Sequence, residues 1–437
     1  MVGLGLRRIL VLVIIASLVP AIVFAGGQDE AGEEGPVTIT VWHDQGDKGV
    51  TWFEELEQAY NAATGANVEI ESVSFPTQQW IERSIAALNT NTAPDLIFNN
   101  YERVIRVEDQ TEKILDLSDA LAGVSDTSFL SDQDLAVSSY GGKTLILPIQ
   151  RVQMAFGVRR TWLETLDEEF PRTVDDLTRI ARKFQEGDPD GNGVEGDTFG
   201  IALQAANPRD LVHMMDLFTF GTGLKHTIID PDGNVLINEP ERRAMYSQIV
   251  EIYRNYTAQD TINHSFTEMY QVIEGNRAGM FRVGDWNVNK WDQADVLDGD
   301  YVIGPWPQFP QGDARNVVIG GMRGVAVPEN APHREEAIAF AQFMLSREAQ
   351  RLSFEHIGAA VRGDWELDLR PHQRFFAQPE HSLIAYDFPE SVHPFYPQIE
   401  EIFHRELLGA LADPDADVGQ VLAETEEKIL EYIENNT

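Results

Sequence analysis

Between residues 37 and 98 the chain changes hydrophobic period four times, and that alternation constrains its fold more than any other feature. Val37-Thr38-Ile39-Thr40-Val41-Trp42 alternates and is rich in β-formers, so it predicts a strand. Thr51 with Glu54 resembles a helix capping box. Trp52, Phe53, Leu56, Ala59, Tyr60 and Ala63 follow at helical spacing, and Gly65 is a natural stop. Val68 to Val73 predicts a second strand. Trp80, Ile81, Ser84, Ile85 and Leu88 mark a second helix, and Pro94-Asp95-Leu96-Ile97-Phe98 a third strand. A β-α-β-α-β order of this kind implies a doubly wound α/β sheet with parallel strands and right-handed crossovers.

The alternation returns downstream. Leu145 to Pro148, Met154 to Val158, Phe199 to Leu203 and Ala278 to Phe281 are strand-like. Val174 to Phe184, Arg242 to Tyr253, Met269 to Ile273 and Glu335 to Leu345 are helical, and Val317 to Val327 is β-rich but broken by glycines. The chain closes on Val418, Val421, Leu422, Thr425, Ile429, Leu430 and Ile433, an amphipathic helix. No fixed repeat is present. The 437 residues are therefore expected to form two α/β lobes, each a doubly wound sheet with flanking helices.

The first residues read as an address. Arg7 and Arg8 precede an apolar run from Ile9 to Val19, then Pro20 and Val23-Phe24-Ala25. A basic start, a short apolar centre and small residues before a cut make a cleaved signal peptide over residues 1–25. Residues 26–36, beginning GGQDEAGEEG, read as a flexible leader. The formal charge of −38 repels nucleic acid and anionic membrane, so neither is expected as a partner. With 7 Lys among 33 basic residues, the balance fits either a saline habitat or an ordinary acidic exported protein. The absence of cysteine excludes disulfides, thiolate metal sites, a cysteine nucleophile and a thioether lipid anchor.

Motifs for catalysis are missing. Gly142-Lys143-Thr144 lacks the earlier glycine of a phosphate loop, since Val137 stands there. There is no Gly-x-Ser-x-Gly elbow, no His-Glu-x-x-His and no Gly-x-Gly-x-x-Gly after the first strand. One loop has metal-like spacing: Asp188, Asp190 and Asn192 occupy positions one, three and five, with Asp197 beyond. That start suits calcium, although Phe199 stands where a bidentate Glu is usual. The alternative is an Asp/Asn/Gly turn that caps itself.

In open parallel sheets, ligands bind beyond the carboxyl ends of strands. Trp42-His43-Asp44-Gln45-Gly46-Asp47-Lys48-Gly49 and Asn99-Asn100-Tyr101-Glu102-Arg103 are expected there. Carboxylates and amides accept hydroxyl protons, Lys and Arg donate, and an indole covers an apolar ring face. That mixture suits a neutral polyol.

On these residues the chain resembles family 1 of the extracellular solute-binding proteins, the maltose-binding-like receptors of ABC importers. Trp42 with Gly46-Asp47-Lys48-Gly49 resembles the family's first sugar loop, with one extra residue before the glycine. The resemblance implies that Asp47 and Lys48, and the pair Glu102-Arg103, touch sugar hydroxyls. Leu147-Pro148-Ile149 resembles the first crossing between lobes. Gly275, Ala278, Met280, Gly284 and Trp286 fit a stretch whose Trp stacks on sugar. Gly320-Gly321 fits the return through the first lobe, and Pro394, Pro397 and Phe403 a further aromatic platform. Asn99, Val152 and Phe403 depart from the maltose-binding pattern, pointing away from maltose while leaving a carbohydrate. Gln150, Arg151, Gln153 and Trp306 near the crossings are further candidates.

The resemblance thus implies a monomeric, non-enzymatic, periplasmic receptor delivering a carbohydrate to a membrane permease. Its expected bodies are residues 37–148 plus 308–356 and residues 149–307 plus 357–437. The same architecture could take a phosphorylated polyol or a polyamine, and a secreted carbohydrate-active enzyme is a rival. N-terminal sequencing of exported material should begin at Gly26; retention of Met1 would reject cleavage.

Overall fold

The computed structural model describes residues 35–76, 79–230, 232–309, 317–362, 369–376, 382–386 and 393–436. The expected signal segment and residues 26–34 of the leader lie outside them. Among the described residues no helix is long and apolar enough to cross a membrane.

Strands β1 (Val37–His43), β2 (Val68–Ser74) and β3 (Leu96–Asn100) pair in parallel, in the order β2-β1-β3. In β1, Ile39, Val41 and His43 are buried, so the sequence alternation sets its inner face. All five residues of β3 are buried, as expected of a central strand covered on both sides. The strand continues through Asn99 and Asn100, which the apolar pattern had left in a loop.

A short hairpin follows, β4 (Ser139–Tyr140) with β5 (Lys143–Thr144). The remaining strands are β6 (Leu147–Val158), β7 (Phe199–Ile201), β8 (Ala278–Gly284), β9 (Val302–Gly304), β10 (Val317–Ala326) and β11 (Ser382–Tyr386). Among the described residues, nine strands share one sheet ordered β2-β1-β3-β10-β6-β8-β7, with β9 on β6 and β11 on β10. Parallel pairing holds at both ends, in β2-β1-β3 and β7-β8. The centre is antiparallel, because β10 runs against β3 and β6, and β6 against β8.

The two strands expected at Leu145 to Pro148 and Met154 to Val158 are one. The polar stretch between them keeps its ladder: Gln150 pairs with Arg323, Arg151 with Met322, Val152 with Gly321 and Gln153 with Gly320. At 12 residues β6 is about 40 Å long, enough to traverse two lobes. Its ends belong to different cores. Leu147 and Ile149 pack with Ile39, Val41, Phe98 and Phe340, whereas Met154 and Phe156 pack with Leu177, Phe184, Phe218 and Ile249. The polar run Gln150-Arg151-Val152-Gln153 is where the strand leaves one core for the other.

The first helix spans Gly46–Thr64, five residues ahead of the expected capping box. Gly46 at φ 60° turns the chain sharply off β1, so Thr51 and Glu54 fall inside the helix. A Cβ at Gly49 would stand 2.5 Å from the His43 ring, so only glycine lets the first turn pack there. One long helix, Pro208–Gly221, lacks a one-sided pattern of burial. Residues Asp210 to Gly221 are all buried, which removes the contrast on which a helical period depends.

The β6–β10 ladder shifts register at Gly324, where a Cβ would meet the Leu147 carbonyl oxygen at 2.3 Å. Gly324→Ala should cost about 1–3 kcal/mol in urea denaturation, and an unchanged midpoint would show that the crossing tolerates displacement.

Candidate functional site

Where the lobes meet, the sequence places charged groups on the ends of strands and on first helical turns. Asp44 follows β1, and the helix Tyr101–Thr111 begins directly after β3. Arg103 donates from Nη1 to Asp44 Oδ2 at 2.7 Å and to Asn99 Oδ1 at 2.8 Å. Burial would raise the Asp44 carboxyl, but Arg323 and Arg103 overcome it and hold the group below the ordinary carboxylate range. Burial lowers the Arg103 guanidinium, with Asp44 opposing. Arg323 on β10 donates from Nε to Asn100 Oδ1 at 2.5 Å.

The opposite lobe answers with the helix Pro208–Gly221. Asn207 caps it, accepting from the Asp210 N–H, and Pro208 opens it. Arg209 in that first turn donates from Nη2 to Glu102 Oε1 at 3.1 Å, bridging the lobes. A cation is disfavoured at a helix N-terminus, and an acid is favoured there, so Glu102 relieves Arg209. With Arg209 a third exposed, the bridge contributes about 0.5–1 kcal/mol, too little to hold the lobes by itself.

Asp285 joins the second lobe to the crossing strand. Its Oδ2 accepts from the Gln153 N–H at 3.0 Å, while Oδ1 is buried without a partner among the described residues. Burial pushes its carboxyl up to about 8, against the N–H bonds of Gln153 and Trp286 and the charge of Arg323. Next to it Trp286 is half-buried, and the Arg282 guanidinium lies over the rings of Phe266, Tyr270 and Trp286. Gly358, at φ 91°, ends the helix Arg347–Ile357 against the Asp285 and Trp286 backbone. Tyr396 and Glu400, one turn apart on the helix Tyr396–Ala412, face Arg106 of the other lobe. The Arg106 Cζ is 5.8 Å from the Tyr396 ring, and its charge acts on Glu400. Burial raises the Glu400 carboxyl, with Arg209 and Arg106 opposing.

The expected residues thus divide. Asp44, Asn99, Glu102 and Arg103 converge at the lobe boundary. Trp42 is half-buried at the rim, edge-on to Phe75 at 5.0 Å. His43 is wholly buried beside Phe53; burial pushes it down to about 4, and its Nδ1 accepts from the Gln45 N–H, so it packs as a neutral ring. Asp47 and Lys48 are exposed on the first helix, outside the Asp44 cluster. Gln150 donates to Ser353 Oγ at 2.9 Å, and its buried Oε1 has no partner among the described residues. Arg151 turns away to Asp134.

Two aromatic expectations fall in the core. Trp306 is 1 % exposed, between Phe156 and Phe218, and Phe403 is fully buried against Tyr246. The loop expected to hold calcium spends its oxygens on itself. Asp188 accepts from the N–H groups of Asn192 and Gly193, and the Asn192 amide donates to Asp190 and Asp197. Among the described residues no group of three or more His, Asp or Glu side chains is arranged for a metal ion. Arg106, Arg209, Asp285, Tyr396 and Glu400 were not anticipated. The Asn207-Pro208 pair, a cap followed by a first-turn proline, was the available signal for Arg209.

Two α/β lobes joined by through-running strands and meeting on polar side chains define a two-lobed α/β architecture of the solute-binding kind. The sequence agrees: residues 43–351 match the bacterial extracellular solute-binding protein family, and the chain belongs to it. The GacH receptor of Streptomyces glaucescens, solved unliganded and with acarbose, is 17 % identical, with a TM-score of 0.73 over 91 % of this chain and 99 % of that one. Lmo0181 of Listeria monocytogenes, solved with cycloalternan, is 14 % identical, TM-score 0.73, over the same 91 % and 99 %. The fructooligosaccharide ABC transporter substrate-binding protein FusA of Streptococcus pneumoniae is 33 % identical over 79 residues, 18 % of this chain and 14 % of that protein. YtcQ of Bacillus subtilis, a polygalacturonan/rhamnogalacturonan-binding protein, is 44 % identical over 45 residues, 10 % of this chain and 9 % of it. The matches thus span a small part of these curated relatives.

Because burial pushes the Asp285 carboxyl up to about 8, its contribution to stability is complete below its ordinary pKa of 3.8 and is lost as pH rises through about 8. Between pH 5 and 8.5 the parent should lose on the order of 1–3 kcal/mol relative to Asp285→Asn in urea denaturation. Parallel pH profiles would refute that protonation state.

Proposed function

We propose that this chain captures a carbohydrate between its lobes and delivers it to an ABC-importer permease, acting as a periplasmic monomer. The observation that carries the reading is the set of buried polar atoms at the lobe boundary that have no partner among the described residues. Asn99 Nδ2 and Arg106 Nε and Nη2 are donors; Gln150 Oε1, Asp285 Oδ1 and Glu400 Oε1 are acceptors. Each such group costs about 1–3 kcal/mol until something satisfies it. A polyol offers donors and acceptors together, and the half-buried Trp286 offers an indole for the apolar face of a ring. The acarbose and cycloalternan complexes of the similar structures support the same ligand class. The moving bodies would be residues 37–148 plus 308–356 and 149–307 plus 357–437. The core exchange along β6 between Ile149 and Met154 supports a hinge there, with others near Ile303 to Pro307 and Phe354 to Gly358. Ligand must then favour the closed form differentially, since the Glu102–Arg209 bridge is weak.

Isothermal titration against mono- and oligosaccharides, with small-angle scattering, checks this. Saturable heat and a smaller radius of gyration are expected, and Trp286→Ala should weaken binding about 3- to 10-fold. Heat with a polyamine or a sugar phosphate and none with any saccharide would overturn the ligand class.

A further inference from the structure

The arginines at the lobe boundary are not equivalent. Arg103 is held by Asp44 and Asn99, Arg209 by Glu102, and Arg323 by Asn100. Arg106 is different. The Tyr396 ring lies 5.8 Å from its Cζ and occupies a face of the guanidinium. Its Nε and Nη2 are shielded from solvent, and neither has a hydrogen-bond partner among the described residues. These two nitrogens form one edge of the guanidinium, whose parallel N–H groups match the two oxygens of a carboxylate. A buried guanidinium with its fork unmet is costly. Glu400 acts on it electrostatically but does not satisfy it, since Glu400 Oε1 is itself buried without a partner.

Building on the carbohydrate reading above, we propose that the ligand is an acidic saccharide whose uronate carboxylate docks bidentately on Nε and Nη2 of Arg106. Glu400 accepts a neighbouring hydroxyl. The monoanion follows from the surrounding charge. Arg103 and Arg209 are already matched by Asp44 and Glu102, and Arg323 is bonded to Asn100 and acts on Asp44, leaving the Arg106 edge for two oxygens. Glu102 and Glu400 would repel a phosphate dianion, which also needs more donors than one edge supplies.

The test compares matched pairs by isothermal titration: α-1,4-digalacturonate with α-1,4-galactobiose, and cellobiouronate with cellobiose. The methyl ester of each uronate and glucose 6-phosphate complete the set. A uronate should bind the unmodified protein at least ~10-fold tighter than its neutral partner and its ester, the usual scale for one charge-assisted bidentate contact. Arg106→Gln should remove that preference, and Arg106→Lys should restore only part of it. The ester comparison needs no variant, so a folding defect in Arg106→Gln leaves the answer intact. Equal binding of the members of a pair, or tighter binding of glucose 6-phosphate, overturns the acidic-sugar assignment and leaves the two-lobed receptor standing. Failure of every saccharide, charged or neutral, overturns the carbohydrate reading itself.

Discussion

The pairing of β6 with β10 is the constraint on which the rest of the molecule depends. Each strand is long enough to serve both lobes, so the hydrophobic cores of the two lobes hang on one hydrogen-bonded ladder. An antiparallel ladder resists sliding but twists and bends readily where its side chains are small or polar. Here that place is Gly320-Gly321 opposite Gln153 and Val152. Neither core includes the side chains between Ile149 and Met154 except at the margins, so bending there disturbs little packing. The apolar residues of both cores stop short of this place.

The boundary it creates is electrostatically demanding. Asp44, Glu102, Asp285 and Glu400 share it with Arg103, Arg106, Arg209 and Arg323, mostly out of contact with water. Ion pairs buried in this way recover their desolvation only when geometry and extra hydrogen bonds are good. Asp44 reaches that condition through two arginines, whereas Asp285 instead keeps its proton. Among the described residues some polar atoms stay unmatched at this boundary, as others do inside both cores. They are tolerated because large cores on each side supply stability that the boundary itself does not.

How far this could be read from residues alone varied along the chain. The opening β-α-β-α-β unit was legible because each element buries one face and exposes another, leaving a clean period. The helix Pro208–Gly221 was hidden because nearly every residue in it is buried. Thr51-Glu54 imitated a helix start that Gly46 had already made five residues earlier. Trp306 and Phe403 had the right residue type near the expected place, but aromatic identity does not distinguish a stacking platform from core filling. Asp188, Asp190 and Asn192 had metal-like spacing, yet backbone N–H groups reached their oxygens first.

The linear sequence determined the class of fold, the two-lobed plan and the family, because hydrophobic period and glycine placement are local properties that survive without coordinates. It also singled out Asp44, Glu102 and Arg103, which follow strands, and Asn99 near the end of one, so that all four lie at one edge of a sheet. Only the tertiary structure decided that β6 is one strand rather than two. It alone brought Arg209, Asp285, Tyr396 and Glu400, from segments as far as 191 residues apart, against the first lobe. The physical reason is that a site between lobes is made by long-range packing: which buried polar atom finds a partner, and which is left for a ligand, depends on neighbours that sequence spacing does not encode.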